Sequence, residues 1–452
     1  MAVKPNIRRE NCMLKKGSFA AIMIASLMVF AVVLPASNLS AETNLTPGGL
    51  FDPNKENESS AEHNSYAWCG AVFTQSDGKD YLWVGTNRDL GGAVITMALP
   101  GGGTNAMLRS ILYEGTGIPE PSSDNKGTIY RLCLSDLDAE NPEWELMWEY
   151  PATNGYRKML IFNDELYVFA GLTNRATHDY SVVFRFTADF AQGDDAEVVL
   201  WRTVPTGVAE YFRSAAILGD RLYVGTFDGL IYSTDGTGLV SHTPTNGGGF
   251  GDDGWRLEAS FYSGGEPEDF AGGAFGDFAG GAIWNLMGFN DCLYAFVSDQ
   301  IVDFRVYKMD ADGEWSQIVS EAGKYPIGMG NDKHVAASPF IITVDGVDYI
   351  YVTTFANGPL FLANLAGDIM GMAFNTSSFS GWSSFEKYWA PAVMYRFDAN
   401  DDWELVVGDD TPFGERIGNM RAGFYDGINP INPSSNQYIW WMAEYDGKTD
   451  KR

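Results

Sequence analysis

The sequence predicts an all-β protein, and more narrowly a β-propeller of four-stranded antiparallel blades. Three observations lead to this prediction: a hairpin pattern that recurs along the chain, two further strands after each hairpin, and the near absence of helical periodicity after residue 41. The composition agrees, because 51 glycines and 14% aromatic residues suit a chain with many turns between strands. With 45% hydrophobic residues, the chain can also bury a sizeable core.

The hairpin pattern is clearest at 156–171, where an apolar run, a polar turn and a second apolar run follow one another. Similar copies lie at 66–86, 211–226, 282–298 and 334–354. The second strand of each copy carries an aromatic residue in the same column: Trp83, Tyr167, Tyr223, Tyr294 and Tyr351. Asp, Asn and Gly in the connecting turn are the residues that a tight antiparallel turn favours.

Two more strands follow each hairpin. Third strands are predicted at 128–134, 182–186, 229–234, 304–310 and 392–398, and fourth strands at 144–150, 197–203, 255–261, 315–321 and 403–409. Four antiparallel strands per unit, repeated about every 50 residues, are typical of propeller blades. A two-sheet sandwich would also have many strands, but it gives no reason for a repeated four-strand register.

The domain prediction has three parts. Residues 1–41 read as a signal peptide, because basic residues precede a long apolar run and a small-residue cleavage site near Ala41. A retained membrane anchor is the alternative, since the run is about long enough to span a bilayer. Residues 42–62 are expected to be a flexible segment, and 63–452 the propeller, with insertions at 100–126, 263–281 and 363–390. The expected location is outside the cell, in the periplasm or on the cell surface.

A sixth unit begins at 436–448, which matches a first strand and its turn. Three interpretations stay open at this point. The segment is a spare strand after a five-bladed ring, the start of further blades, or a strand that completes an incomplete blade. Of these, the expectation is an incomplete or unusually closed ring, because 42–62 shows no strand pattern that could supply missing strands.

The hairpin copies approximate the pattern Y-x-W/R-x-M-x-x-F-x-G-x-LYVGT. In this they resemble a loosely defined group of exported bacterial and archaeal propeller proteins, and they are similar to kelch and Asp-box propellers, over about 63–452. The kelch double glycine and a strict Asp-box are not intact, although 233–238 and 310–315 come near the latter. The resemblance implies a propeller fold and says little about activity.

The net charge limits the classes of partner that are expected, and the cysteines limit the disulfide and metal sites that are expected. The net charge of −29 argues against nucleic acid and anionic membrane surfaces, and it is compatible with a protein kept soluble by charge or with cationic ligands. The expected partner at the propeller face is a protein, a glycan or a small anionic ligand. No membrane span is expected after cleavage of the signal. Beyond Cys12, the chain has Cys69, Cys133 and Cys292, an odd and scattered set that predicts neither a disulfide framework nor a zinc site.

A binding face follows from blade geometry. The start of strand one and the loop after strand two lie at the same end of a blade, around the central axis, where propellers commonly bind ligands. The candidate residues there are Trp68, Arg88, Asp89, Arg157, Arg175, Arg213, Asp228, Trp284, Asp299 and His334, with His178 nearby. Arginines beside aromatics suit a carboxylate, a sulfate or a sugar. The alternative is that Arg and Asp of neighbouring blades pair with each other.

No cofactor is predicted. Two turns, with Asp310 and Asp312 and with Asp398, Asn400 and Asp402, alternate oxygen ligands as calcium loops do. They also lie where Asp and Asn are favoured in hairpin turns, at the opposite end of the blades, and the turn interpretation is preferred.

The predicted function is that of a binding or interaction module. The first alternative is a glycan- or ester-processing hydrolase or lyase of sialidase-like type, although no Tyr–Glu pair for such chemistry is identifiable. The second alternative is a structural surface component without a small-molecule ligand. The glycine-rich insertion at 263–281 and the aromatic-rich one at 363–390 would flank the binding face.

Overall fold

The structure is a computed structural model. It describes residues 64–89, 126–136, 143–174, 177–204, 211–261, 282–298, 304–320, 322–330, 334–356 and 393–407, with a few positions between 103 and 113. The chain divides into two compact units, and every strand given below belongs to the one formed by Ala41–Leu90, Pro121–Gly358 and Gly381–Arg452. In the other unit, the described residues between 106 and 113 are helical. The predicted signal peptide, the segment 42–62 and the partial sixth unit lie outside the described residues.

The first two blades are antiparallel meanders of four strands each. Blade one contains β1 (Asn64–Thr74), β2 (Asp80–Arg88), β3 (Gly127–Cys133) and β4 (Glu145–Tyr150). Blade two contains β5 (Thr153–Phe162), β6 (Glu165–Thr173), β7 (Tyr180–Phe186) and β8 (Glu197–Thr203). One bridge, between Asn87 and Gly155, joins the end of β2 to the start of β5.

The next three blades repeat this topology. Blade three contains β9 (Phe212–Leu218), β10 (Arg221–Thr226), β11 (Leu230–Thr234) and β13 (Arg256–Ser260), and a short strand β12 (Phe250–Gly251) pairs with β8. Blade four contains β14 (Ala282–Phe289), β15 (Cys292–Ser298), β16 (Arg305–Met309) and β17 (Trp315–Val319). Blade five contains β18 (His334–Val344), β19 (Val347–Ala356), β20 (Met394–Phe397) and β21 (Trp403–Val407). Two short 3-10 helices are Leu134–Asp136 and Ile327–Gly330.

The predicted fold class is confirmed: the described residues form an all-β protein of successive four-stranded antiparallel sheets, the blade architecture of a β-propeller. The first strand of each blade lies beside the first strand of the next, since β5 contacts β1, β9 contacts β5, β14 contacts β9 and β18 contacts β14. The β12 strand was not predicted, because two residues carry no periodicity. No helix within the described residues is long and apolar enough to cross a membrane.

The turns and the aromatic column explain why these residues form blades. The hairpin turns at Asn163–Asp164, Asn290–Asp291 and Asp345–Gly346 all have positive φ, which Asn, Asp and Gly tolerate best. All five column aromatics are buried, including Trp83 and Tyr167 with no exposed surface. Burial of such large side chains between blades is the main stabilising contribution to the fold.

Candidate ligand-binding face

A β-bulge occurs at one register position in each of the first four inner strands. In each case one residue has no partner on the second strand: Trp68, Arg157, Arg213 and Trp284. A bulge redirects the side chain of its extra residue out of the regular alternation of the strand. The repeat therefore presents an arginine or a tryptophan at the same place in four successive blades.

Blade five differs from this pattern. Its register shift lies between His334 and Ala336, and His334 pairs with Ala356. His334, a predicted site residue, is thus at the start of β18. It does not occupy the bulge position that holds an arginine or a tryptophan in each of the first four blades. The repeat alignment missed this because the shift of the bulge leaves no trace in the hydrophobic pattern.

The four bulge residues form two contacts between neighbouring blades. The Cζ atom of Arg157 in blade two lies 3.6 Å from the centroid of the Trp68 ring in blade one. The Cζ atom of Arg213 in blade three lies 3.4 Å from the centroid of the Trp284 ring in blade four. Both distances are well within the range of a cation–π interaction. We call these four residues the Arg–Trp face.

The two contacts flank one backbone hydrogen bond. The Tyr211 N–H, two residues before Arg213, donates to the carbonyl oxygen of Gly171 over 2.9 Å. On the other side, a Cβ atom at Gly171 would overlap the side chain of Arg157. Glycine at 171 therefore lets the Arg157 side chain cross β6 close to the hydrogen bond that links β6 to the start of blade three.

A stacked guanidinium uses its flat face, whereas its N–H donors lie in the plane and point outward from the edge. Stacking on tryptophan is thus compatible with a bidentate contact to a carboxylate or a sulfate. The neighbouring Lys158 adds positive charge. Its side chain is exposed, yet desolvation by the surrounding protein lowers its pKa, an effect that Cys69 opposes.

Arg88 and Asp89 end the second strand of blade one, and both are almost fully buried. Asp89 has a φ of 52°, in the left-handed region that Asp tolerates better than most residues. Both residues therefore lie inside the protein and not on an open surface.

Asp228 has a structural role in the loop after β10. Its carboxylate accepts hydrogen bonds from the Tyr211 hydroxyl at 2.9 Å and from Thr226 Oγ1 at 2.5 Å. His178 lies 2.7 Å from Thr177 Oγ1 and packs edge-on against Tyr180, and burial lowers the pKa of its imidazole against the opposing effect of Asp179. The structure does not place either residue in contact with the Arg–Trp face.

Two predicted site residues, Arg175 and Asp299, lie outside the described residues. So do the insertions at 263–281 and 363–390 and almost all of the one at 100–126. Nothing in the described part of the chain therefore bears on their role.

The two acidic turns have the hydrogen bonds of ordinary Asp turns. Asp310 Oδ1 accepts the backbone N–H groups of Asp312 and Glu314, at 3.0 and 2.9 Å. Asp398 Oδ1 accepts those of Asn400 and Asp402, at 2.9 and 3.1 Å. These contacts favour the turn interpretation. Among the described residues, no three His, Cys, Asp or Glu side chains are grouped to hold a metal ion.

Sequence-based prediction missed two features of the face: the pairing of each Arg with a Trp from a neighbouring blade, and the need for glycine at 171. The sequence does contain a signal for the need for glycine at 171. In the repeat alignment, Gly171 occupies the column of Asn87 and Phe227, so only blade two has no side chain there.

No protein-family model matches this chain, and no curated protein matches it in sequence. Among solved structures, it is similar to a puromycin hydrolase (TM-score 0.29, 11% identity), covering 63% of this chain and 33% of that one. It is also similar to a GH43 beta-xylosidase/alpha-arabinofuranosidase from a compost microbial metagenome (TM-score 0.28, 10% identity, 63% and 84% covered). A third is the Synechocystis apocarotenoid oxygenase (TM-score 0.32, 7% identity, 75% and 60% covered).

The chain thus spans about a third of the length of the puromycin hydrolase that it matches. All three similarities are too weak to transfer an activity. The fold assignment rests on the strand pairing of the chain itself.

Proposed function

We propose that this protein is an exported binding module that recognises an anionic ligand, such as an acidic sugar, at the Arg–Trp face. The observation that carries the proposal is the pair of Arg–Trp stacks on either side of the Gly171–Tyr211 hydrogen bond. They supply two cationic groups and two aromatic rings at equivalent positions in four blades.

The chemistry of this face favours an anion carried on a sugar or another ring. A guanidinium held by stacking has lost much of its side-chain freedom before binding, so less entropy is lost when it engages a carboxylate. Indole rings are the usual platforms for sugar and other flat ligands. In a chain of net charge −29, two arginines also distinguish this site, in which Trp68 and Arg157 are half-buried and Arg213 and Trp284 are each only 7% exposed.

The test is a titration of the purified protein with glucuronate, galacturonate, sialic acid and sulfate, with glucose as the neutral comparison. Arg157→Ala and Arg213→Ala should each weaken binding of the acidic ligands at least about tenfold, since a hydrogen bond to a charged group contributes about 1.5–3 kcal/mol. The matched control is Arg256→Ala, because that side chain is 75% exposed and pairs only at the surface of blade three with Glu258.

Affinities that stay unchanged in both face variants would rule out this face as the ligand site. Turnover of fluorogenic glycosides or esters that the face variants abolish would favour the hydrolase alternative. Absence of binding to every ligand would favour a structural role. Export is tested separately, by N-terminal sequencing of the protein recovered outside the cytoplasm, where a start near residue 42 is expected.

A further inference from the structure

A second polar site lies inside the protein, where blades one and two meet. The junction is the bridge between Asn87 and Gly155, and Gly155 in turn lies opposite Leu172 of β6. Four polar side chains belong to residues on or next to these strand ends: Asn87, Arg88, Asn154 and Thr173. None of them exposes more than 6% of its surface, and Asn87 exposes none.

These side chains lack protein partners. Among the described residues, Nε and Nη2 of Arg88 have no hydrogen-bond partner, and neither have both amide atoms of Asn87, Oδ1 of Asn154 and Oγ1 of Thr173. Buried polar atoms are nearly always hydrogen-bonded, and a buried guanidinium without a counter-charge is more unfavourable than any neutral group. The buried polar atoms at the junction therefore need hydrogen-bond partners other than these side chains.

Arginines elsewhere in the blades show what ordinary pairing looks like in this protein. Arg131 Nε donates to Glu145 Oε2 and Arg185 Nε donates to Glu197 Oε2, each over 2.8 Å. In both cases the glutamate lies directly opposite on the next strand. Opposite Arg88 on β1, the sequence instead has an asparagine at position 64.

We propose that this junction binds one small oxyanion, a carboxylate, sulfate or phosphate, on the Arg88 guanidinium. The Nε and Nη2 donors of Arg88 form one edge of the guanidinium fork, and that edge matches two oxygens of such an anion. Asn87 and Thr173 supply neutral donors in the same junction. The anion neutralises the buried charge and satisfies donors that one water molecule could satisfy only in part.

This site differs from the Arg–Trp face in residues and in consequence. It is buried, so its anion serves the stability of the junction between blades one and two. The proposal does not depend on the ligand proposed for the Arg–Trp face.

The test is a thermal melt of the full chain in Tris chloride on addition of sodium sulfate, phosphate, formate or acetate, with ionic strength held constant by NaCl. At least one anion should raise the melting temperature of the wild type with a saturable dependence. Arg88→Met should abolish this rise. Without anion it should melt about 2–4 °C above the wild type, because it removes a buried unpaired charge and keeps most of the side-chain volume.

The matched control is Arg256→Met, which should keep the anion-dependent rise because Arg256 is exposed. Should Arg88→Met not fold, the second variant is Arg88→Lys, which keeps the charge but lacks the fork. Desalted wild-type protein, denatured and analysed by ion chromatography, should then release about one anion per chain, and Arg88→Lys should release none. An equal melting rise in wild type and Arg88→Met, or equal anion content in wild type and Arg88→Lys, would overturn the proposal.

Discussion

The two ends of the blades use charge in different ways. One end of the blades holds the turns between strands one and two and between strands three and four. Charged groups at this end join blades four and five. Asp401 accepts hydrogen bonds from the Tyr294 hydroxyl at 2.7 Å and from Lys308 Nζ at 2.8 Å. At the opposite end, Arg157 and Arg213 lie on tryptophan rings, and Arg88 is buried with two nitrogen atoms unpartnered among the described residues.

The difference between the two ends of the blades indicates where a functional site is to be sought. A carboxylate that accepts a tyrosine hydroxyl and an ammonium group is committed to holding the fold together. A guanidinium that is stacked on a ring keeps its N–H groups in the plane of the group, and two nitrogen atoms of the buried Arg88 have no hydrogen-bond partner among the described residues. We therefore call the turn end of the blades the structural end, and the opposite end, where the proposed ligand sites lie, the recognition end.

The largest expected effect tests the structural end. Asp401→Asn should lower the free energy of unfolding by about 2–3 kcal/mol, because it leaves the Lys308 ammonium unpaired in a site where it is only 17% exposed. Asn suits the left-handed φ of 59° at this position, so the substitution changes charge and not backbone preference. Chemical denaturation measures the effect.

The neighbouring residue supplies the control. Asp402 pairs with Lys324 at 2.6 Å, but these side chains are 68% and 45% exposed. Asp402→Asn should therefore change the free energy of unfolding by less than about 0.5 kcal/mol. If Asp401→Asn and Asp402→Asn lower the free energy of unfolding equally, or if neither lowers it, the contrast between a partly buried contact that joins two blades and an exposed surface pair is wrong.

The second prediction addresses the recognition end. Gly171→Ala should lower the free energy of unfolding by about 1–2 kcal/mol, because the new Cβ overlaps the Arg157 side chain and forces it to move. The same displacement should weaken binding of acidic ligands, measured by titration as for the arginine variants. Wild-type affinity in a folded Gly171→Ala protein would show that the position of Arg157 does not matter for the ligand.

The smallest expected effect concerns Cys69, beside Trp68 in β1. Burial raises the pKa of its thiol to about 12, although a hydrogen bond from the Gly85 backbone acts to lower it. Because the folded state holds this proton more firmly than the unfolded state, the stabilisation is complete below pH 9 and is lost as pH rises towards 12.

The wild type should accordingly lose about 1 kcal/mol more stability than Cys69→Ala between pH 8 and about pH 9.7. Chemical denaturation of both proteins at the two pH values checks this. Equal losses of stability in the wild type and in Cys69→Ala would show that burial does not raise the pKa of the Cys69 thiol.

Much of the fold could be predicted because blades repeat. The column from Trp83 to Tyr351 and the Asn, Asp and Gly turns are local signals, and each recurs often enough to define a register. The site could be predicted only in part. Trp68, Arg157, Arg213 and Trp284 were candidates by column, but their pairing was not, since it depends on which blades adjoin and on where each bulge falls.

By itself, the sequence determined the strands, the turns and the succession of blades, because hydrophobic alternation and turn chemistry act between residues close in the chain. Only the tertiary contacts decided which charged side chains pair with one another and which do not. Asp228 supports a loop, Asp401 is part of a contact between blades four and five, and Arg88 is buried with Nε and Nη2 unpartnered among the described residues. Those roles depend on contacts between residues far apart in sequence and on desolvation, and neither leaves a periodic signal in the chain.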